Sequence, residues 1–186
     1  MPVSLCYASL ILPLLNAAIA VGESRIHNAV IDNDPMAVRA ALADGADVNE
    51  LGNGGQTPVL HAATRGKLRA AAALMKMGAD ASISDPNGIT PMHAAALHGH
   101  GKIVRMLLRY SVDANDMHTD GLTPLHRACL GPDAGHTDTV FALLEGGVAP
   151  DQPSSDGRLP LDLATSDNTR KLLMEALREK QQRHRR

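Results

Sequence analysis

A phrase that returns every 33 residues governs what this chain can fold into. It reads Thr57-Pro58-Val59-Leu60-His61-Ala62-Ala63, then Thr90-Pro91-Met92-His93-Ala94-Ala95-Ala96, then Thr123-Pro124-Leu125-His126-Arg127-Ala128-Cys129. A second marker keeps the same interval: Gly45-Ala46-Asp47, Gly78-Ala79-Asp80 and a degraded Ser111-Val112-Asp113. A unit this short cannot bury its own apolar face, so successive units must stack and share one elongated core.

One step back from Thr57 lies Ser24-Arg25-Ile26-His27, a weakened first unit. Forward from Thr123, the matching Leu159-Pro160-Leu161-Asp162 begins 36 residues on instead of 33. Gly66 and Gly99 follow their threonines by nine residues, whereas Gly135 follows Thr123 by twelve. From Gly135 to Gly147 the spacing is again twelve, as from Gly66 to Gly78. The surplus falls within Leu130–Ala134, and the inserted Pro132-Asp133-Ala134 is expected to enlarge the connection between two helices. Five units result, over residues 24–177.

Within a unit, threonine can cap a helix and proline at the next position forfeits no helical hydrogen bond. The alanines beyond favour helix and permit close approach. A second helix shows in Ile103-Val104-Arg105-Met106-Leu107-Leu108, whose apolar positions repeat at helical spacing. Gly45 and Gly78 can end helices at positive φ, and Asp85-Pro86-Asn87-Gly88 and His118-Thr119-Asp120-Gly121 have turn composition. Asp47, Asp80 and Asp113 read as turn residues. Aromatics are 2% of the chain, with no Trp and a single Phe141, so Leu, Ala, Val and Met must make the core and no base-stacking platform is expected.

This pattern resembles the ankyrin-repeat family, whose unit carries Thr-Pro-Leu-His followed by alanines. Thr123-Pro124-Leu125-His126 matches fully and Thr90-Pro91-Met92-His93 closely. His61 stands one position late, and Leu159 and Asp162 replace Thr and His in the last unit. The resemblance implies an all-α repeat solenoid of about five helix-turn-helix units with hairpin-like connecting turns. It also implies that His93 and His126 are structural, linking their rings to the first-turn threonine and nearby backbone.

Function is less constrained. The charge is −2, from 18 basic and 20 acidic residues, so the whole chain is no polycation for nucleic acid. Residues 170–186 hold 7 basic and 2 acidic side chains against 11 and 18 before them, making a basic C-terminal tail over 178–186. The tail either solubilises the repeat end or makes weak contact with an anionic surface. Residues 1–23 begin with an apolar stretch that reads either as a signal sequence ending near Ala20, with secretory or membrane-associated targeting, or as a capping helix. Without a signal the protein would be cytoplasmic or nuclear. Two cysteines, Cys6 and Cys129, exclude a framework of several disulfides, and Cys129 reads as a buried small hydrophobe.

No phosphate-binding glycine loop, serine elbow or metal-ligand spacing occurs, and no cofactor or metal is expected. The resulting expectation is a non-catalytic protein-interaction module or adaptor; the competing class is an enzyme with an unrecognised site. Carrying over the family's contact positions selects Asn53, Gln56, Arg65, Asn87, Ile89, Leu97, His98, Asp120, Leu122, Leu130 and Arg158. Ile89, Leu97 and Leu122 are the apolar ones at solvent-facing template positions, or are partly covered by neighbouring units.

Overall fold

The computed structural model describes residues 24–184. The apolar segment 1–23, and with it the choice between signal sequence and capping helix, lies outside the described residues. Ten helices follow one another in pairs among these residues: α1 Arg25–Ile31 and α2 Pro35–Ala43, α3 Pro58–Thr64 and α4 Leu68–Lys76, α5 Pro91–Leu97 and α6 Gly101–Arg109, α7 Pro124–Cys129 and α8 Ala134–Glu145, α9 Pro160–Leu163 and α10 Asp167–His184. The odd-numbered helices pack neighbour on neighbour in one layer and the even-numbered ones in a second. The expected five-unit solenoid is the fold. Its connecting segments are extended turns, with no strand among the described residues.

The repeated phrase starts each first helix as its chemistry requires. Thr57, Thr90 and Thr123 hold extended N-cap conformations, each followed by proline in the first turn. The Thr57 hydroxyl accepts the Leu60 N–H at 3.3 Å. Leu159 offers no such oxygen; instead the Asp162 carboxylate accepts the Leu159 N–H at 2.8 Å, and α9 stops after 4 residues.

Leu60, Leu74, Met92, Leu107, Leu125, Leu143 and Leu173 are fully buried along the stack. Each contributes about 1.5–3 kcal/mol by leaving water. Ala62, Ala63, Ala95, Ala96 and Ala128 are fully buried in the first-helix layer, where small side chains let helices approach closely. Side-chain hydrogen bonds tie unit to unit: Asn33 Oδ1 accepts the N–H groups of Arg69 and Ala70 at the start of α4, and Asn49 Oδ1 accepts that of Asp80.

The insertion enlarges the connection less than expected and mostly lengthens a helix. Helix α8 has 12 residues where α4 and α6 have 9, and its connection to α7 has gained a single residue. Asp133 begins the helix, its carbonyl accepting the N–H groups of His136 and Thr137. Gly135 is thus helical, not a turn glycine, and lies against Gly99, where a Cβ on it would stand 2.8 Å from the Gly99 carbonyl oxygen.

The two ends differ from the middle. Arg25 occupies in α1 the place of buried Pro58, Pro91 and Pro124, stays exposed and pairs with Asp44 at 2.9 Å. At the other end, α10 continues through the residues read as a tail, and Lys180 pairs with Asp151 in the last turn.

Candidate interaction surface

The turns are held by their own side chains. Asp47, Asp80 and Asp113 each accept the N–H two residues on, at 2.9, 2.8 and 2.8 Å. Nearer the tips, Asp85 Oδ1 accepts the N–H groups of Asn87 and Ile89, both at 2.9 Å, and Asp120 Oδ1 accepts that of Leu122 at 3.0 Å. Arg158 Nε donates to Asp156 at 2.6 Å. Adjacent turns also touch, Ser155 N–H donating to the Gly121 carbonyl at 3.1 Å.

The family-derived contact residues fall in two rows. Asn53 and Gln56 precede α3, Asn87 and Ile89 precede α5, Asp120 and Leu122 precede α7, and Arg158 precedes α9. Arg65, His98 and Leu130 cap the far ends of α3, α5 and α7, with Leu97 the last residue of α5. Helix α5 has 7 residues, so Ile89 and Leu97 are separated by about 10 Å of helix. Asn53, Asn87, Asp120, Arg158, Arg65, His98 and Leu130 are exposed; Gln56, Ile89, Leu97 and Leu122 are half-buried. Ile89 packs against the core. The apolar residues therefore lie in different rows, Ile89 and Leu122 before the first helices and Leu97 and Leu130 at their far ends, and do not form one patch.

Charge divides the same two edges. The turns carry Asp47, Glu50, Asp80, Asp85, Asp113, Asp116, Asp120, Asp151 and Asp156, with Arg158 as the basic exception. The connections and second-helix starts of the second and third units carry Arg65, Lys67, Arg69 and Lys102.

The histidines are absorbed by the scaffold. His93 Nδ1 lies 2.8 Å from the Thr90 hydroxyl and Nε2 lies 3.1 Å from the Asp116 carbonyl, so the neutral Nε2–H form satisfies both partners. His126 repeats this with Thr123 at 2.8 Å and the Arg158 carbonyl at 3.1 Å. Burial pushes both rings below the ordinary imidazole range, helped by the charge of Arg127 on His93 and of Arg158 on His126. In the first unit His27 takes the same position, bonding the Glu50 carbonyl at 3.0 Å, but its Nδ1 meets His61 Nδ1 at 3.2 Å. His61 thus does not take the repeat histidine's role, as its late position implied. His100 and His136 reach back to the carbonyls of Thr64 and Leu97 at 3.2 and 2.9 Å, groups with no partner inside their own helices. Burial, with His100 and His136 nearby, also lowers His98.

Among the described residues no group of three His, Cys, Asp or Glu side chains could hold a metal ion. Cys129 is fully buried, and burial pushes its thiol up to about 12, far from a reactive thiolate. Sequence reasoning missed Arg127, which is buried in α7 and donates at 2.8 Å both to Asp120 Oδ2 and to His118 Nδ1. A signal was there: Arg127 breaks the alanine pattern where α5 has Ala94.

Comparison with known proteins agrees with the geometry. A family model described as Ankyrin repeats (3 copies) matches residues 26–118, and one described as Ankyrin repeat matches residues 120–155. No curated protein matches the chain.

Proposed function

Because the chain belongs to the ankyrin-repeat family, whose fold generally serves as a protein-interaction scaffold, we propose that it is a non-catalytic adaptor or inhibitor that binds a protein through its turn tips and the exposed ends of its first helices. The observation that carries this reading is the row of turns, fixed by aspartate hydrogen bonds, that sets exposed Asn87 and Asp120 beside half-buried Ile89 and Leu122 in consecutive units. Such a row offers a polar rim around small apolar contacts without requiring the scaffold to rearrange.

The test separates the two rows. Affinity capture is quantified for the full chain, for Ile89→Ser with Leu122→Ser, and for Leu97→Ser with Leu130→Ser, each checked for cooperative melting. Loss of at least about tenfold in affinity for the turn-row variant, at about 1.4 kcal/mol per decade, is the expected result. Because Ile89 contacts the core, Asn53→Arg with Asn87→Arg supplies a variant that leaves packing untouched. Unaltered affinity in both turn-row variants removes the proposed surface.

A further inference from the structure

One polar cluster in the turn row has no counterpart in the other units. Arg127 stands where α5 has Ala94 and α3 has His61, and it is nine-tenths buried with its Nε lacking a hydrogen-bond partner. Its Nη2 lies 2.8 Å from both His118 Nδ1 and Asp120 Oδ2. His118 Nε2 lies 2.7 Å from the Asn87 carbonyl, so Nε2 carries the proton. Nδ1 is then an acceptor, and it receives the Asp120 N–H at 3.2 Å as well as Arg127.

The same Nδ1 lies 2.9 Å from Asp120 Oδ1. A proton on Nδ1 would turn it from acceptor into donor. It would then bond the Asp120 carboxylate, while its new charge faced the Arg127 guanidinium at contact distance. The two forms of one ring therefore choose different partners.

We propose that His118 is a proton-operated clasp on the turn between the third and fourth units: neutral, it holds Arg127 against the turn; protonated, it exchanges Arg127 for the Asp120 carboxylate and loosens the tip. Every neighbour bears on this choice. From α5 comes His93, its ring centroid 5.7 Å away. From α7 comes Arg127, and from the turn itself Asp120 and the Thr119 hydroxyl, while Asp116 acts on the neighbouring His93. The preceding turn presents the Asn87 carbonyl.

Burial by itself would raise the Asp120 carboxyl, but a hydrogen bond from His118, available once Nδ1 is protonated, together with the Leu122 N–H and the charge of Arg127, lowers it below its ordinary value. Asp120 is thus ionised wherever an imidazole takes up a proton, and is ready to accept from Nδ1. Expelled from His118, Arg127 is a buried cation with fewer partners. It lowers its free energy by moving toward water, which adds positive charge beside the tips. The effect on a bound protein rests on the reading of the turn row given above; the clasp itself does not.

Amide hydrogen exchange on the full chain tests the clasp, with protection factors corrected for intrinsic rate. The reporters are Gly121, whose N–H donates to the His118 carbonyl at 2.8 Å, and Leu122, whose N–H donates to Asp120. Protection at both should fall about fivefold or more between about pH 7.5 and about pH 5.5. The fall should be much smaller in His118→Gln, which cannot charge, and in Arg127→Met, which leaves no cation to expel; what remains is the loss of stability carried by His93 and His126. If one variant does not fold, the other still decides. No fall in the parent chain, or an equal fall in parent and variants, overturns the clasp. So does a ring 15N spectrum at about pH 7.5 showing the proton on Nδ1. None of these readouts uses a partner, so an error in the proposed binding surface would leave them unchanged.

Discussion

Ser111 stands at φ 58° where the matching residues of the other units, Gly45, Gly78 and Gly147, stand at 96°, 87° and 87°. A side chain in that left-handed region crowds the following carbonyl, so Ser111→Gly should stabilise the fold by about 0.5–1 kcal/mol, read as a rise in melting temperature; a fall would mean that the serine makes a contact worth more than the strain. Histidine gives a second prediction. His93 and His126 fold with values below their ordinary 6.5, so between the folded and unfolded values the unfolded chain binds more protons. Their stabilisation is complete above about pH 7.5 and is lost as pH falls through about 6.5 toward the folded values. The carboxylates held low, Asp80, Asp120, Asp138 and Asp156, act only near and below 3.8. Denaturant unfolding at about pH 7.5 and 5.5 should show that loss in the parent chain and less of it in His93→Gln. The Thr-Pro-His roles were readable from spacing because each is local to one helix turn. The Arg127 cluster was not, since Asn87, His118, Asp120 and Arg127 come from two turns and a helix that meet only after stacking.

Helix α8 shows how an element can defeat a sequence reading. Spacing located the insertion correctly, but Pro132 and Gly135 are poor helix residues and pointed to a longer loop. What decided the outcome was tertiary: the glycine lets the new turn of helix rest against Gly99, and the longer helix stays aligned with α6 through the Arg105–Asp138 pair at 2.6 Å. Gly135→Ala should therefore destabilise the protein, by about 1 kcal/mol or more, although alanine in a helix interior ordinarily gains about that much. A higher melting temperature for this variant would show that the Gly99 contact yields readily. At the C-terminus the apolar residues Leu172, Leu173, Ala176 and Leu177 repeat at helical spacing within α10. Its continuation to His184 was hidden in a charged sequence, where periodicity of apolar residues is silent and the Lys180–Asp151 pair supplies the docking point.

At the scale of the whole molecule, nearest-neighbour contact between units sets the behaviour. Each junction combines buried aliphatic area with side-chain bonds that cross it, such as Asn33 to α4, His100 to Thr64 and His126 to Arg158. Ending the chain after Leu177 removes the half-buried Lys180–Asp151 pair and no fully buried residue. The shortened protein should still melt in one cooperative step, within about 1 kcal/mol of the parent; separate melting of the last unit would show that the helix extension holds it in place. The fold was legible because a repeated unit states its packing rule several times over. The binding face was legible only as template positions, because side chains that meet no neighbouring unit leave no periodic trace.

The division of charge between the turn edge and the opposite edge of the second and third units has a dynamic consequence. A body that is acidic along one long side and basic along part of the other carries a transverse dipole. A charged partner approaching broadside would exert a torque on it before any atoms touch, so the two would arrive already oriented. Added salt would blunt that alignment, slowing capture far more than it hastens escape.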